Sequence, residues 1–244
     1  MDIVDRLLRD RPRFHVQGTT RWDSLPDTLR AIGQAVSEGD RTIETGCGAS
    51  TVIFTGQGAH HTVLSPDAEE HARVRDYLEK IGVDDSRLIS EVGVSDRVLP
   101  SLCRHRIFDA AYIDGAHSFP YPAIDWHYIT RALKVGGKLI MDDIPIPAVA
   151  YVFRFMLSDP SWRLDAILDE RAAAFTLVHE PPAEENYTLQ PFNHWPDYGF
   201  APIPTRARLI FASGFGKIRQ KVGARYPTFR RVWRRFSRAN EGLD

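Results

Sequence analysis

The sequence predicts an α/β fold: a doubly wound, mostly parallel sheet of seven strands, with an antiparallel edge pair and helices on both faces. Three observations carry this. From Arg41 onward, short apolar runs alternate with longer amphipathic ones, as in successive strand–helix units. Such units join by right-handed crossovers into a parallel sheet. Two later runs, Arg163–Leu168 and Ala173–His179, have only four residues between them, too few for a helical crossover, so they pair antiparallel at one edge. Finally, the first strand runs directly into a glycine turn, Gly46-Cys47-Gly48, where the backbone can turn tightly and approach a ligand.

The elements follow in order. Residues 1–38 read as helical and polar, with an amphipathic run from Leu25 to Val36. Thr42–Thr45 is the first strand and Ser50–Thr55 the first helix of the alternating region. His61–Leu64 is a strand, and Asp67–Ile81 a helix that Pro66 and Asp67 start and Gly82 stops. Arg87–Val92 is the third strand, followed by a helix over Ser95–Arg104. Phe108–Ile113 is the fourth strand, and Tyr121–Leu133 a helix ending before Gly136-Gly137. Lys138–Met141 is the fifth strand, and Val149–Leu157 a helix that Pro160 closes. The antiparallel pair completes a domain over residues 1–180. Residues 181–216 form a Pro- and aromatic-rich extension, irregular over 183–206, and 217–244 a basic aromatic tail.

Bulk properties exclude several classes. A chain of 244 residues has room for one substantial domain and a small appendage. Its apolar and charged fractions are ordinary for a soluble protein, and no apolar stretch is long enough to span a bilayer. The N-terminus lacks a signal-peptide core, and two cysteines, Cys47 and Cys103, make neither a disulfide framework nor a zinc spacing. A cytoplasmic location is expected. The formal net charge of −1 conceals an asymmetry: nine Lys or Arg and no acid lie between Lys217 and Arg238. Within that stretch Tyr226, Phe229, Trp233 and Phe236 recur at helical steps. Such a helix could dock on its own domain or on a second subunit, making a homo-oligomer. It could also lie on an anionic membrane surface. No nucleic-acid-binding module accompanies it, which disfavours that partner.

The chemistry concentrates at strand ends. Glu44-Thr45-Gly46-Cys47-Gly48-Ala49-Ser50 closes the first strand and opens the next helix. Its plainest reading is a tight turn; on the first strand–helix junction it also suits a ligand. Asp114, Asp142 and Asp143 fall at or just past the ends of the fourth and fifth strands. Three converging carboxylates repel unless something positive lies between them, and a hard divalent cation such as Mg²⁺ would serve. Alternatively, Asp142 caps the next turn, Asp143 is solvated and Asp114 orients its glycine turn. His117 lies three residues after Asp114; as one of nine histidines it could be a surface or structural histidine on a loop. His105 and His127 have no such context.

The Glu44–Ser50 segment resembles motif I of class I S-adenosyl-L-methionine (SAM)-dependent methyltransferases. Gly93-Val94-Ser95, Asp109–His117, Gly136-Gly137 and Met141-Asp142-Asp143-Ile144 resemble later signatures of the catechol-type and macrolide-sugar O-methyltransferases. The resemblance spans about residues 40–180. It implies a Rossmann-like fold and methyl transfer to a hydroxyl of a small molecule or sugar. Glu44, Gly46, Gly48, Ser50, Ser95 and Asp114 would hold SAM, and Asp114, Asp142 and Asp143 a Mg²⁺ that grips a diol-like acceptor, with His117 removing the acceptor's proton. One piece is missing. The acid that ends the second strand and binds the ribose in most relatives falls here on Val63 or Ser65, leaving Ser65 and Asp67 as substitutes. That gap favours a competing reading, a non-catalytic domain of the same fold docking through its tail. A nicotinamide-dependent oxidoreductase is disfavoured: Thr51 stands at the third glycine of G-x-G-x-x-G, and no Tyr-x-x-x-Lys pair is present.

Overall fold

The structure is a computed structural model that describes residues 2–15, 24–181, 190–193, 197–199 and 201–211. Two compact units divide the chain, Met1–Phe192 and Asn193–Asp244. In the second unit, residues 203–211 form a helix, where sequence pattern gave no periodicity as far as 206. The basic tail over 217–244 and parts of the aromatic extension lie outside the described residues.

The first unit is a seven-stranded sheet flanked by helices. Its strands are β1 (Arg41–Thr45), β2 (His60–Ser65), β3 (Leu88–Val92), β4 (Phe108–Ile113), β5 (Leu133–Met141), β6 (Trp162–Leu168) and β7 (Ala172–Leu177). Their spatial order is β3-β2-β1-β4-β5-β7-β6, parallel from β3 to β5, with β7 antiparallel to both β5 and β6. The chain reverses direction across the sheet between β1 and β4, the switch point where open α/β sheets bind ligands beyond their carboxyl ends.

Side-chain alternation along these strands builds two cores. Ala110, Tyr112 and Ile140 face one cluster with Ile53, Phe54, Val74 and Leu78; Ala111, Ile113, Leu139 and Met141 face another with Leu99, Ile129 and Val149. The first is covered by α1 (Ile3–Asp10), α2 (Pro26–Ala35), α3 (Ala49–Gly56) and α4 (Ala68–Ile81). The second is covered by α5 (Ser95–Leu102), α6 (Tyr121–Ala132) and α7 (Pro147–Ser158). Burial on both faces explains why β4 reads as a nearly continuous apolar run.

Several boundaries differ from the sequence expectation: α7 starts at Pro147 where Val149 was expected, and β7 ends at Leu177 where His179 was expected. Strand β5 starts at Leu133, not Lys138. The register against β4 jumps from Phe108↔Leu133 to Ala110↔Lys138, so the Gly136-Gly137 pair is a bulge inside the strand rather than a turn before it. Helix α5 stops at Leu102, two residues short of the expected end. The other helix edges follow their signals: Asp67 caps α4 by accepting from Glu69 N at 2.8 Å, and Gly82 ends it with a left-handed φ of 73°. Among the described residues, no helix is long and apolar enough to cross a membrane.

Candidate active site

The crevice is built where the carboxyl ends of β1 and β4 meet, and Gly46 lets them meet. It has φ of 95°, and a Cβ there would lie 2.4 Å from the carbonyl oxygen of Asp114. No other residue satisfies both the left-handed conformation and that approach. The Gly46 N–H reaches Leu64 O at 2.9 Å, and Asp114 N reaches Thr45 O at 3.0 Å. The glycine turn therefore ties β1 to both neighbours. At Gly48 a Cβ would stand 3.1 Å from Nε2 of His15, which overhangs the turn.

Glu44 does not reach this crevice. It is fully buried on β1, with Oε1 accepting from the Thr51 hydroxyl and lying 3.0 Å from Nε2 of His61; His61 Nδ1 is 2.8 Å from Thr42 Oγ1. Thr51 Oγ1 also accepts from Gly48 N at 3.0 Å. The acid thus braces the glycine turn from beneath through a helix hydroxyl, while its buried Oε2 makes no hydrogen bond among the described residues. Ser50 is buried in the first turn of α3 and Ser95 in the first turn of α5. Asp67 caps α4 and lies in an ion pair with Arg73 at 3.7 Å.

At the end of β2 an acid reaches back from the first turn of the next helix. Glu70 on α4 folds back so that Ser65 Oγ donates to its Oε2 at 2.8 Å, while Oε1 lies 2.6 Å from Nδ1 of His15. Burial alone would raise the Glu70 carboxyl; the contacts from His15 and Ser65 outweigh it and leave it below the ordinary value. Sequence reading found Ser65 and missed both partners. Glu70 carried a signal, an acid in the first turn of the helix that follows Ser65. His15 carried none.

At the ends of β4 and β5 the pleat puts Tyr112 between two acids. Its hydroxyl donates to Asp142 Oδ2 at 2.6 Å, lies 3.2 Å from Asp114 Oδ2, and is 3.0 Å from Ser24 Oγ. Burial, with the neighbouring Asp142 and Asp143 carboxylates adding to it, raises the Asp114 carboxyl well above the usual range despite the opposing contact with His117. The His117 imidazole bridges outward, with Nε2 3.4 Å from Asp114 Oδ1 and Nδ1 3.3 Å from Asp143 Oδ2. Burial works to lower its pKa, but the surrounding aspartates win and raise it.

The expected trio of Asp114, Asp142 and Asp143 is not what converges. Asp142, only 1% exposed, has both oxygens engaged: Oδ2 by Tyr112, and Oδ1 by Asp143 N at 2.7 Å and Arg171 Nε at 3.2 Å. Arg171 Nε also donates to Asp143 Oδ1 at 2.6 Å. Among the described residues, the one group with metal-ligand spacing is Asp114, His117 and Asp143, whose ligand atoms lie within 4.8 Å of one another. That set substitutes a nitrogen for an oxygen and uses the candidate base as a ligand, so it fits Mg²⁺ poorly. A further buried acid, Asp125 on α6, lines the wall behind Gly115: a Cβ at Gly115 would lie 2.9 Å from Asp125 Oδ2. Neither of its oxygens makes a well-formed hydrogen bond, and burial pushes its carboxyl up to about 6.

Solved structures share this fold. An O-methyltransferase, TomG from Streptomyces achromogenes, involved in tomaymycin synthesis and determined with SAM, superposes with a TM-score of 0.57 at 12% identity, covering 73% of this chain and 91% of its own. A Klebsiella pneumoniae protein assigned as an O-methyltransferase gives 0.57 at 18% identity, over 73% of this chain and 91% of that one. A Geobacter sulfurreducens methyltransferase gives 0.52 at 14%, over 72% and 87%. No protein-family model matches the chain, and no curated protein matches it in sequence. The likeness is one of fold: a Rossmann-like methyltransferase sheet with an antiparallel edge pair.

Proposed function

We propose that this chain is a SAM-dependent methyltransferase acting on a hydroxyl of a small molecule or sugar. The observation that carries the reading is His117, half-enclosed between Asp114 and Asp143 at the mouth of the switch-point crevice. A raised-pKa imidazole held by two carboxylates is suited to take up a hydroxyl proton and to keep it as imidazolium.

The residues of the β1–β2 side suit SAM. Gly48 has no side chain to block the turn, and Glu70, at the end of β2 with one partner on each oxygen, would offer its remaining lone pairs to ribose hydroxyls. Glu70 also answers the observation that favoured a non-catalytic domain. When bound, SAM supplies a methyl group on a positively charged sulfur. The protein's part is positioning: the Gly46 turn and the Asp114 loop hold donor and acceptor in line, and His117 receives the proton. Asp142 stays with Tyr112 and Arg171 and holds the Asp143 loop in place.

Calorimetric titration of SAM, followed by transfer of labelled methyl from SAM to a panel of hydroxylated acceptors, tests the reading. Micromolar binding is expected, with His117→Ala keeping SAM affinity while turnover falls about 10²–10⁴-fold. Absence of SAM binding up to millimolar concentration would sink it.

A further inference from the structure

We propose that the Arg171 guanidinium is the resident cation of this site. Methyl transfer here then needs no divalent metal, and the acceptor needs no pair of oxygens to chelate one. The consequence for the reaction rests on the methyl-transfer reading above; the charge argument does not.

Three aspartates gather at the ends of β4 and β5, and one of them, Asp142, is almost wholly buried. Buried carboxylates require a positive partner. Arg171 meets Asp143 Oδ1 at 2.6 Å and Asp142 Oδ1 at 3.2 Å through a single nitrogen, Nε. With Tyr112 on Asp142 Oδ2, the Asp143 N–H and Arg171 on Oδ1, and only 1% of the residue exposed, Asp142 is poorly placed to serve an octahedral ion. A guanidinium stays protonated at any working pH. A divalent ion on Asp143 would therefore add two charges beside one that cannot leave.

The arginine is delivered by backbone on both sides, so its position is built in. Asp169 and Glu170 have φ of 51° and 55°, the left-handed pair of a tight hairpin turn between β6 and β7. That turn closes with Arg171 N donating to Leu168 O at 2.9 Å. Opposite it, Ile144 N donates to Arg171 O at 2.9 Å, which docks the arginine against the segment leaving β5. Asp143 in turn is held at φ of 56°, directing its carboxylate toward the hairpin. The hairpin is itself anchored, since Asp169 Oδ2 accepts from Asp27 N at 2.9 Å and Thr28 N at 3.0 Å, capping α2. The guanidinium meets both acids through Nε.

Electron paramagnetic resonance of Mn²⁺ titrated into the full chain tests this, with parallel calorimetry of SAM in the presence of EDTA. Wild type is expected to leave the free-ion signal undiminished through the millimolar range and to bind SAM equally well with and without EDTA. Arg171→Met, checked for folding by circular dichroism, is expected to bind Mn²⁺ at least about ten-fold tighter, because the acids lose their counter-charge. Arg171→Lys is expected to behave as wild type. Saturable Mn²⁺ binding by wild type that Asp143→Asn abolishes would overturn the proposal, and this arm decides the matter even if Arg171→Met does not fold. A folded Arg171→Met that gains no Mn²⁺ affinity, a gain in Arg171→Lys, or SAM binding that EDTA removes would overturn it too. If SAM fails to bind in either buffer, the methyl-transfer reading falls while the Mn²⁺ titration still decides the nature of the cation.

Discussion

The two halves of the crevice solve one electrostatic problem in different ways. At the ends of β1 and β2, Glu44 and Glu70 are buried or half-buried acids whose partners are imidazoles and hydroxyls: His61 and Thr51 for one, His15 and Ser65 for the other. At the ends of β4 and β5, Asp142 and Asp143 share an arginine. An imidazole changes charge near neutrality, and a guanidinium does not. The acids on the β1–β2 side are therefore held by hydrogen bonds with imidazoles and hydroxyls, whereas those on the β4–β5 side keep a permanent counter-charge beside His117.

Breaking the junction between the halves should have the largest effect. Gly46→Ala puts a methyl against the Asp114 carbonyl and strains a left-handed φ, and is expected to cost about 4 kcal/mol of stability in urea unfolding. Removing the permanent charge comes next. Arg171→Met leaves Asp142 buried without its cation and is expected to cost about 3 kcal/mol, by the same amount at about pH 6 and about pH 9. Equal stability of variant and wild type would show that Tyr112 alone satisfies the acid.

A smaller effect isolates the wall between the halves. The Asp125 carboxyl is raised from 3.8 to about 6 by burial, so its protonated form is favoured in the folded state. Stability from that group is complete below about pH 4 and is lost as pH rises through about 6. Asp125→Asn should remove this loss, making the variant about 2 kcal/mol more stable than wild type at about pH 8 and equal to it at about pH 4. A pH profile parallel to that of wild type would refute this. Smallest in stability is Glu70→Gln, at about 1 kcal/mol near neutrality. Because the Glu70 carboxyl is lowered in the folded state, its contribution is present above its unfolded pKa and disappears as pH falls through the folded one. Its larger mark should be on SAM affinity, weakened about ten-fold, and unchanged affinity would remove Glu70 from the cofactor side.

The sheet was legible because its signals are local. Apolar runs of strand length, Asp67 and Gly82 at the ends of α4, and four residues between the last two runs each speak within a few positions. The glycine turn was legible too, although the need for Gly46 proved to be its contact with Asp114, far along the chain, in addition to its own conformation. The Asp114–His117 pair could be read because its members are three residues apart on one loop.

The counter-charges could not be read in that way. Sequence pattern alone showed that acids gather at strand ends and that something positive must join them, and from this followed the expectation of a metal among Asp114, Asp142 and Asp143. Which cation does so depends on register: β7 pairs with β5 through Met141↔Ala173, and this carries Arg171 beside Asp142 and Asp143. Glu70 likewise becomes the acid of β2 only when α4 folds back on Ser65, and His15 reaches it only when the N-terminal segment packs over the glycine turn. Backbone conformation is dictated largely by neighbours in sequence, so fold class and the turn follow from the chain as written, while the order of the strands is read from the structure. Charge compensation acts through space over a few ångströms, so the partners of these acids are decided only when the tertiary structure brings distant segments together.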